Sequence, residues 1–245
     1  MIEVEQLRKE FRRVVAVRDV SFTAADGAIT GLLGANGAGK TTTLRMIGGV
    51  LKPQAGQIRI DDLAPVEHPR AAQSKLGALL DHIGLYPRLT ARENLTYFGR
   101  LRNILAVARL HERVEEVLSL LGLESMADTP ASGFSQGERM KVALGRAIIH
   151  SPANLILDEP TNGLDVPTVR SPRSLLKSMR RHGTCIVFSS HVLEEVHTLS
   201  DHVVVIAKGS VVAQGTSQAL CEKTNSATLE EAFVRLTTCE GAGGC

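Results

Sequence analysis

Residues 28–41 read AITGLLGANGAGKT. The first six form a short apolar run, as a buried strand should. The next six turn on three glycines, and TTTLRMIGGVL then opens a helical pattern that Lys52-Pro53 stops. The spacing from Gly34 to Thr41 is G-x-x-x-x-G-K-T. Glycines let successive backbone N–H groups curl around an anion, and the helix behind them adds the positive end of its dipole. Asn36, Gly37, Ala38, Gly39, Lys40, Thr41 and Thr42 are therefore the candidate phosphate contacts. Lys40 is placed to reach the β- and γ-phosphates of a nucleotide, and the Thr41 hydroxyl to hold Mg2+.

Strands and helices alternate outward from this point. IEVEQL and VVAVRDVSFTA alternate as antiparallel strands do. GQIRID, KLGALLD, NLILD and TCIVFSS read as further strands, and HVVVIAKGSVVAQG as a hairpin turned at Lys208-Gly209. Thr90 to Glu93 is a capping box that opens a helix to about Leu101. Leu110, Val114, Val117, Leu118 and Leu121 line one face of the next helix, which Gly122 closes. SATLEEAFVRLTT carries a weak helical pattern. The expected fold is α/β, with a mostly parallel core sheet. In this division 1–81 and 151–218 form the core with an antiparallel β part, 82–150 a helical insertion, and 219–245 a helical tail, all within one domain. Pro172 falls inside a helical stretch, Val166 to Arg181, and is expected to kink or delay it.

LILDEP puts Asp158 and Glu159 at the carboxyl end of a buried strand, the sheet edge where ligands sit in such folds. Asp158 is placed to bind Mg2+ and Glu159 to polarise an attacking water. His191 follows TCIVFSS at the same edge. It either contacts the γ-phosphate and that water or simply caps the helix Val192–Leu199. FSQGE at 134–138 pairs Ser135 with Glu138 as a second capping box. A helix start bearing Ser135 and bare Gly137 is also an anion site. Two phosphate sites and one nucleotide per chain imply that the second serves a neighbour's nucleotide.

GANGAGKT, FSQGE, LILDEP, NGLD and the His191 position occur in that order along essentially the whole chain, which resembles the nucleotide-binding subunits of ABC transporters. The resemblance implies P-loop NTPase architecture and a head-to-tail pair of subunits, two copies or two different chains, with ATP and Mg2+ sandwiched between phosphate loop and signature helix. Ser135 and Gly137 would touch the other chain's γ-phosphate, and Asp165 of NGLD would cross the seam. Phe11 matches the aromatic that stacks on adenine, and Val17 falls among the nucleotide contacts. IGLYPRLTARENLTYFGRL looks most like the exporter ATPases of the sodium-extruding NatA type and their multidrug-exporting relatives. A separate transmembrane permease is the implied partner, and Ile83, Leu85 and Tyr86 are the expected docking surface. Three places depart from the family pattern. Asp81 stands where Gln is usual and becomes a possible Mg2+ ligand, Gln136 stands in the signature's glycine pair, and Arg170-Ser171-Pro172-Arg173 interrupts a smooth helix.

Composition sets the bounds. A net charge of +2 with no basic stripe argues against nucleic acid. No apolar run approaches a membrane span, and MIEVEQLRKE lacks a signal-peptide core, so the expected location is cytoplasmic and peripheral on the membrane. Cys185, Cys221, Cys239 and Cys245 have no metal spacing. No N-K-x-D motif marks a GTPase. An ABC-type ATPase acting on DNA or ribosomes, and an ATP-binding regulator without turnover, remain the alternatives.

Overall fold

The computed structural model describes residues 1–80, 84–102, 107–161 and 166–238, the side chains of 166–171 apart. One nine-stranded sheet runs through it in the order β4-β1-β2-β9-β8-β3-β7-β6-β5. The strands are β1 (Ile2–Phe11), β2 (Val14–Ala24), β3 (Ile29–Leu33), β4 (Ala55–Ile60), β5 (Leu76–Leu79), β6 (Asn154–Asp158), β7 (Cys185–Ser190), β8 (His202–Ala207) and β9 (Ser210–Gly215). β5, β6, β7, β3 and β8 pair in parallel, whereas β4, β1 and β2 pair antiparallel, as does the β8–β9 hairpin. A single parallel bridge, Asp19 to Ser210, joins the two parts.

Period-two alternation assigns the core strands to two faces. Leu155, Leu157, Ile186, Phe188, Val203 and Val205 pack on one side, and Ile156, Cys185, Val187, Val204 and Ile206 on the other. Both faces are apolar, so the strands read as near-continuous hydrophobic runs, as a parallel sheet covered on both sides requires. Leu44, Met46 and Ile47 of helix α1 (Lys40–Ile47) cover the second face. The first face is covered by α5 (Gln136–Ile148), α6 (Val166–Arg181) and α7 (Leu193–Leu199).

Between β5 and β6 the described chain is helical: α3 (Ala91–Leu101) and α4 (Val107–Leu120) pack with α5. Both expected capping boxes are present, at Thr90 and at Ser135. Asn94 is fully buried and pins the turn before α3, donating from Nδ2 to the carbonyls of Tyr86, Leu89 and Thr90 and accepting from the Tyr86 N–H. One short helix, α2 (Pro69–Lys75), joins the anticipated ones; toward the C-terminus lie α8 (Ser217–Thr224) and α9 (Leu229–Thr238), and α9 packs on α8 and β9. Pro172 does not delay α6, which begins at Val166 and runs through it with Leu175 and Leu176 buried against the core. Cys239 and Cys245 lie outside the described residues.

His150 ends the helical insertion. Its Nε2 lies 3.2 Å from the Leu76 carbonyl, and burial, with help from nearby Arg102 and Arg113, pushes its pKa down to about 4 from an ordinary 6.5. Unfolding returns the ring to water, where it takes up a proton more readily. Its contribution to stability is thus present above pH 6.5 and lost as pH falls toward 4. The melting temperature of the wild type should drop more steeply across that window than that of His150→Gln, and parallel curves would remove His150 from the acid sensitivity.

Candidate nucleotide-binding site

The register of three neighbouring strands assembles the site. Leu32 pairs with Ser189, and Ser189 with Asp158, so the carboxyl ends of β3, β7 and β6 lie side by side. β3 delivers the phosphate loop, β6 the acids and β7 the histidine.

The loop 34–39 is held from three sides. Gly39 has φ +109°, and a Cβ there would sit 2.6 Å from the Ala16 carbonyl oxygen. The Gly209 N–H, in the hairpin turn, donates to the Ala38 carbonyl at 3.0 Å, and the Gly209 carbonyl accepts from the Arg18 N–H at 2.7 Å. Within the first turn of α1 the Thr43 hydroxyl donates to the Gly39 carbonyl at 2.9 Å. The loop backbone is thereby fixed by β2 and the β8–β9 turn, neither of which the motif itself reveals.

Lys40 is 5% exposed, and its Nζ donates to the Gly34 carbonyl at 2.6 Å and the Ala35 carbonyl at 3.2 Å. The same Nζ lies 3.7 Å from Glu159 Oε1. Burial lowers the ammonium's pKa, with the Glu159 and Asp158 carboxylates opposing that shift. Glu159 takes a left-handed backbone, φ +48°, and its N–H donates to Ser189 Oγ at 3.0 Å. Ser189, fully buried, donates in turn to Asp158 Oδ1. His191 Nδ1 meets Glu159 Oε2 at 2.8 Å. His191 does not cap α7: the N-cap is Val192, whose N–H donates to Ser190 Oγ. Lys40, Glu159 and His191 thus form one contact chain.

They line a cleft of about 410 Å3 together with Asn36, Gly37, Ala38, Gly39, Thr41, Thr42 and the start of β2, Val14 to Ala16. Val17 does not line it; its side chain is fully buried and lies beside Gly39, so the cleft wall falls just before it in sequence. Phe11 is 42% exposed at the end of β1, in register with Val14, with Lys9 Nζ 5.5 Å from its ring centroid. Ser135 and Gly137 are not among the lining residues. Asp81, Asp165 and Ile83 lie outside the described residues. Sequence reasoning passed over Val14, Val15, Ala16 and Ser189, although the doubled serine before His191 was in view.

A strand-loop-helix with a buried lysine, a histidine just past the end of the adjacent strand and paired acids at the end of the next define a nucleotide-binding ATPase cassette. The sequence profile described as ABC transporter matches residues 17–162. The chain is 41% identical to the ABC transporter ATP-binding protein NatA of Bacillus subtilis (strain 168) over 90% of each chain. Among solved structures it is similar to one titled "Structure of ATP binding subunit of ABC transporter", with TM-score 0.88, 27% identity, and coverage of 96% of this chain and 99% of that one. It is also similar to the dimeric structure of MJ0796, a bacterial ABC transporter cassette, with TM-score 0.81, 25% identity, and coverage of 88% and 98%. The chain belongs to the ABC transporter family, as an ATP-binding subunit of it.

Proposed function

We propose that this chain binds ATP with Mg2+ in the cleft, pairs head to tail with a second nucleotide-binding subunit, and hydrolyses ATP to power a separate membrane permease that exports its cargo. The observation that carries the reading is the separation of the two anion-binding elements. The cleft holds Lys40, Glu159 and His191, while the capped start of α5 with Ser135 and Gly137 stands outside it. A second subunit's Ser135 and Gly137 would complete the γ-phosphate shell, and Asp165 would cross the seam.

Within one cleft the roles follow from placement. The loop amides of Asn36 to Thr42 cradle the phosphates, and Lys40 leaves Glu159 to bind the β- and γ-oxygens. Glu159 polarises the attacking water, and His191, held through Nδ1, turns its remaining ring nitrogen to the γ-phosphate. Thr41 lines the cleft and Asp158 ends β6 next to Glu159, outside the lining; with Asp81 as a further candidate, these oxygen donors would suit a hard cation. Mg2+ there would neutralise charge on the β- and γ-oxygens. Phe11 would stack on the adenine beside Val14.

The permease docks where the insertion exposes aromatic surface. Tyr86 and Tyr97 are 45% and 41% exposed and pack edge-on at 5.1 Å beside Phe98, with Leu101 60% exposed on the same helix. This would hold the chain at the cytoplasmic face, consistent with the absence, among the described residues, of any helix long and apolar enough to cross a membrane. A cross-linker at Tyr86 should capture the permease, and capture only from the opposite face would refute this docking. The resemblance of residues 83–101 to the exporter ATPases of the sodium-extruding NatA type and their multidrug-exporting relatives supports export and a sodium or drug cargo.

Ser135→Ala separates the two tasks of that residue. Loss of the cap should cost about 1 kcal/mol of stability, read by thermal melting. Loss of the γ-phosphate contact should weaken ATP-dependent pairing, read by sedimentation. A variant that melts lower but pairs with unchanged affinity would confine Ser135 to capping.

A further inference from the structure

Glu195 is 1% exposed, and the roles given above make no use of it. It sits in the first turn of α7, where a carboxylate withdrawn from water is costly unless hydrogen-bonded. Both of its oxygens are engaged. Oε2 accepts from Ser190 Oγ at 2.8 Å, and Oε1 accepts from Thr161 Oγ1. Ser190 Oγ also accepts from the Val192 N–H at 3.0 Å, so it clasps the turn that has His191 at its centre. Thr161 follows Glu159 by two residues, across the buried Pro160.

These contacts close a ring. The chain runs from Glu159 through Pro160 to Thr161, crosses to Glu195, crosses again to Ser190, continues to His191, and returns to Glu159 at 2.8 Å. Glu195 links the loop after β6 to the loop after β7 through its two oxygens and is not among the residues that line the cleft. The ring also holds Glu159 in its left-handed backbone, a conformation that persists when the surroundings over-determine it. We infer that Glu195 is a positioning residue: its two hydroxyl partners lock the general base Glu159 and the histidine His191 into one rigid unit. Opening either arm lets the two side chains drift independently while the phosphate loop stays intact. Nucleotide binding and water activation then separate.

The inference rests on the ATPase reading, and wild-type phosphate release tests that reading by itself. Glu195→Ala cuts both arms, and Thr161→Val cuts one while leaving the carboxylate its Ser190 donor. Steady-state hydrolysis of MgATP by the purified full chain should show kcat lowered roughly tenfold or more, as a misplacement near 1 Å can produce. KM for ATP should stay within about twofold, because the binding loop is untouched. Should Glu195→Ala fail to fold, Thr161→Val carries the same two readouts. A kcat close to wild type in the folded variants, or a KM that rises as far as kcat falls, overturns the inference.

Discussion

Glu159→Gln is expected to lower kcat by roughly 10²–10⁴-fold, the share a positioned general base contributes, while leaving a stable ATP-dependent dimer. The amide keeps the shape of the side chain and an oxygen for the His191 contact, so the strand end and loop need not move. What it loses is the charge that polarises water and that pairs with Lys40 at 3.7 Å. Without that charge Lys40 is freer to serve the phosphates, and ATP trapped unhydrolysed should hold two subunits together. Sedimentation with excess ATP and Mg2+, beside a phosphate-release assay, reads both effects. A variant that turns over normally would remove Glu159 from the chemistry. One that stays monomeric at high concentration would remove the sandwich.

Gly39→Ala should be the more damaging change to binding. The added Cβ would meet the Ala16 carbonyl at 2.6 Å, and φ +109° is closed to an alanine. The strain alone is about 1–3 kcal/mol, and the clash is with backbone that cannot swing aside. Relieving it shifts the loop off β2 and misaims the amides, so ATP affinity should fall more than about a hundredfold, near 3 kcal/mol. Gly37→Ala is the graded comparison, with φ +80° but open space around its Cβ, and should lose less. Gly133→Ala meets nothing within 4 Å at an ordinary φ and serves as the harmless control. Titration with a fluorescent ATP analogue orders the three, and equal affinities for Gly39→Ala and wild type would discard the cradle.

Much of this site is written locally. The phosphate loop, the acid pair and both capping boxes depend on neighbours within a few residues, and each lies where its spacing places it. The alternation of β1 and β2 and the Lys208-Gly209 hairpin were legible for the same reason. Boundaries were less so. α1 ends at Ile47, before the Lys52-Pro53 stop, because Gly48 and Gly49 already break it. α2 escaped notice because it buries one residue, Ala72, and so leaves no apolar period to read.

What sequence could not show is everything set by strand pairing. Ser189 and Glu195 look like any polar residues beside an apolar run. Only the placement of β7 between β3 and β6 turns the one into a strut under Asp158 and Glu159, and the other into the tie between two loops. Val17 shows the converse. The family resemblance implies a nucleotide contact there, whereas the inward phase of β2 buries its side chain and leaves Val14 to Ala16 lining the cleft.

A shared active centre predicts a particular dependence on dilution, and phosphate release per mole of chain across a wide range of protein concentration measures it most directly. The specific rate should climb with concentration at fixed saturating MgATP and level off once pairs dominate. A specific rate that stays flat down to concentrations where only single chains sediment would mean that one subunit completes the chemistry alone.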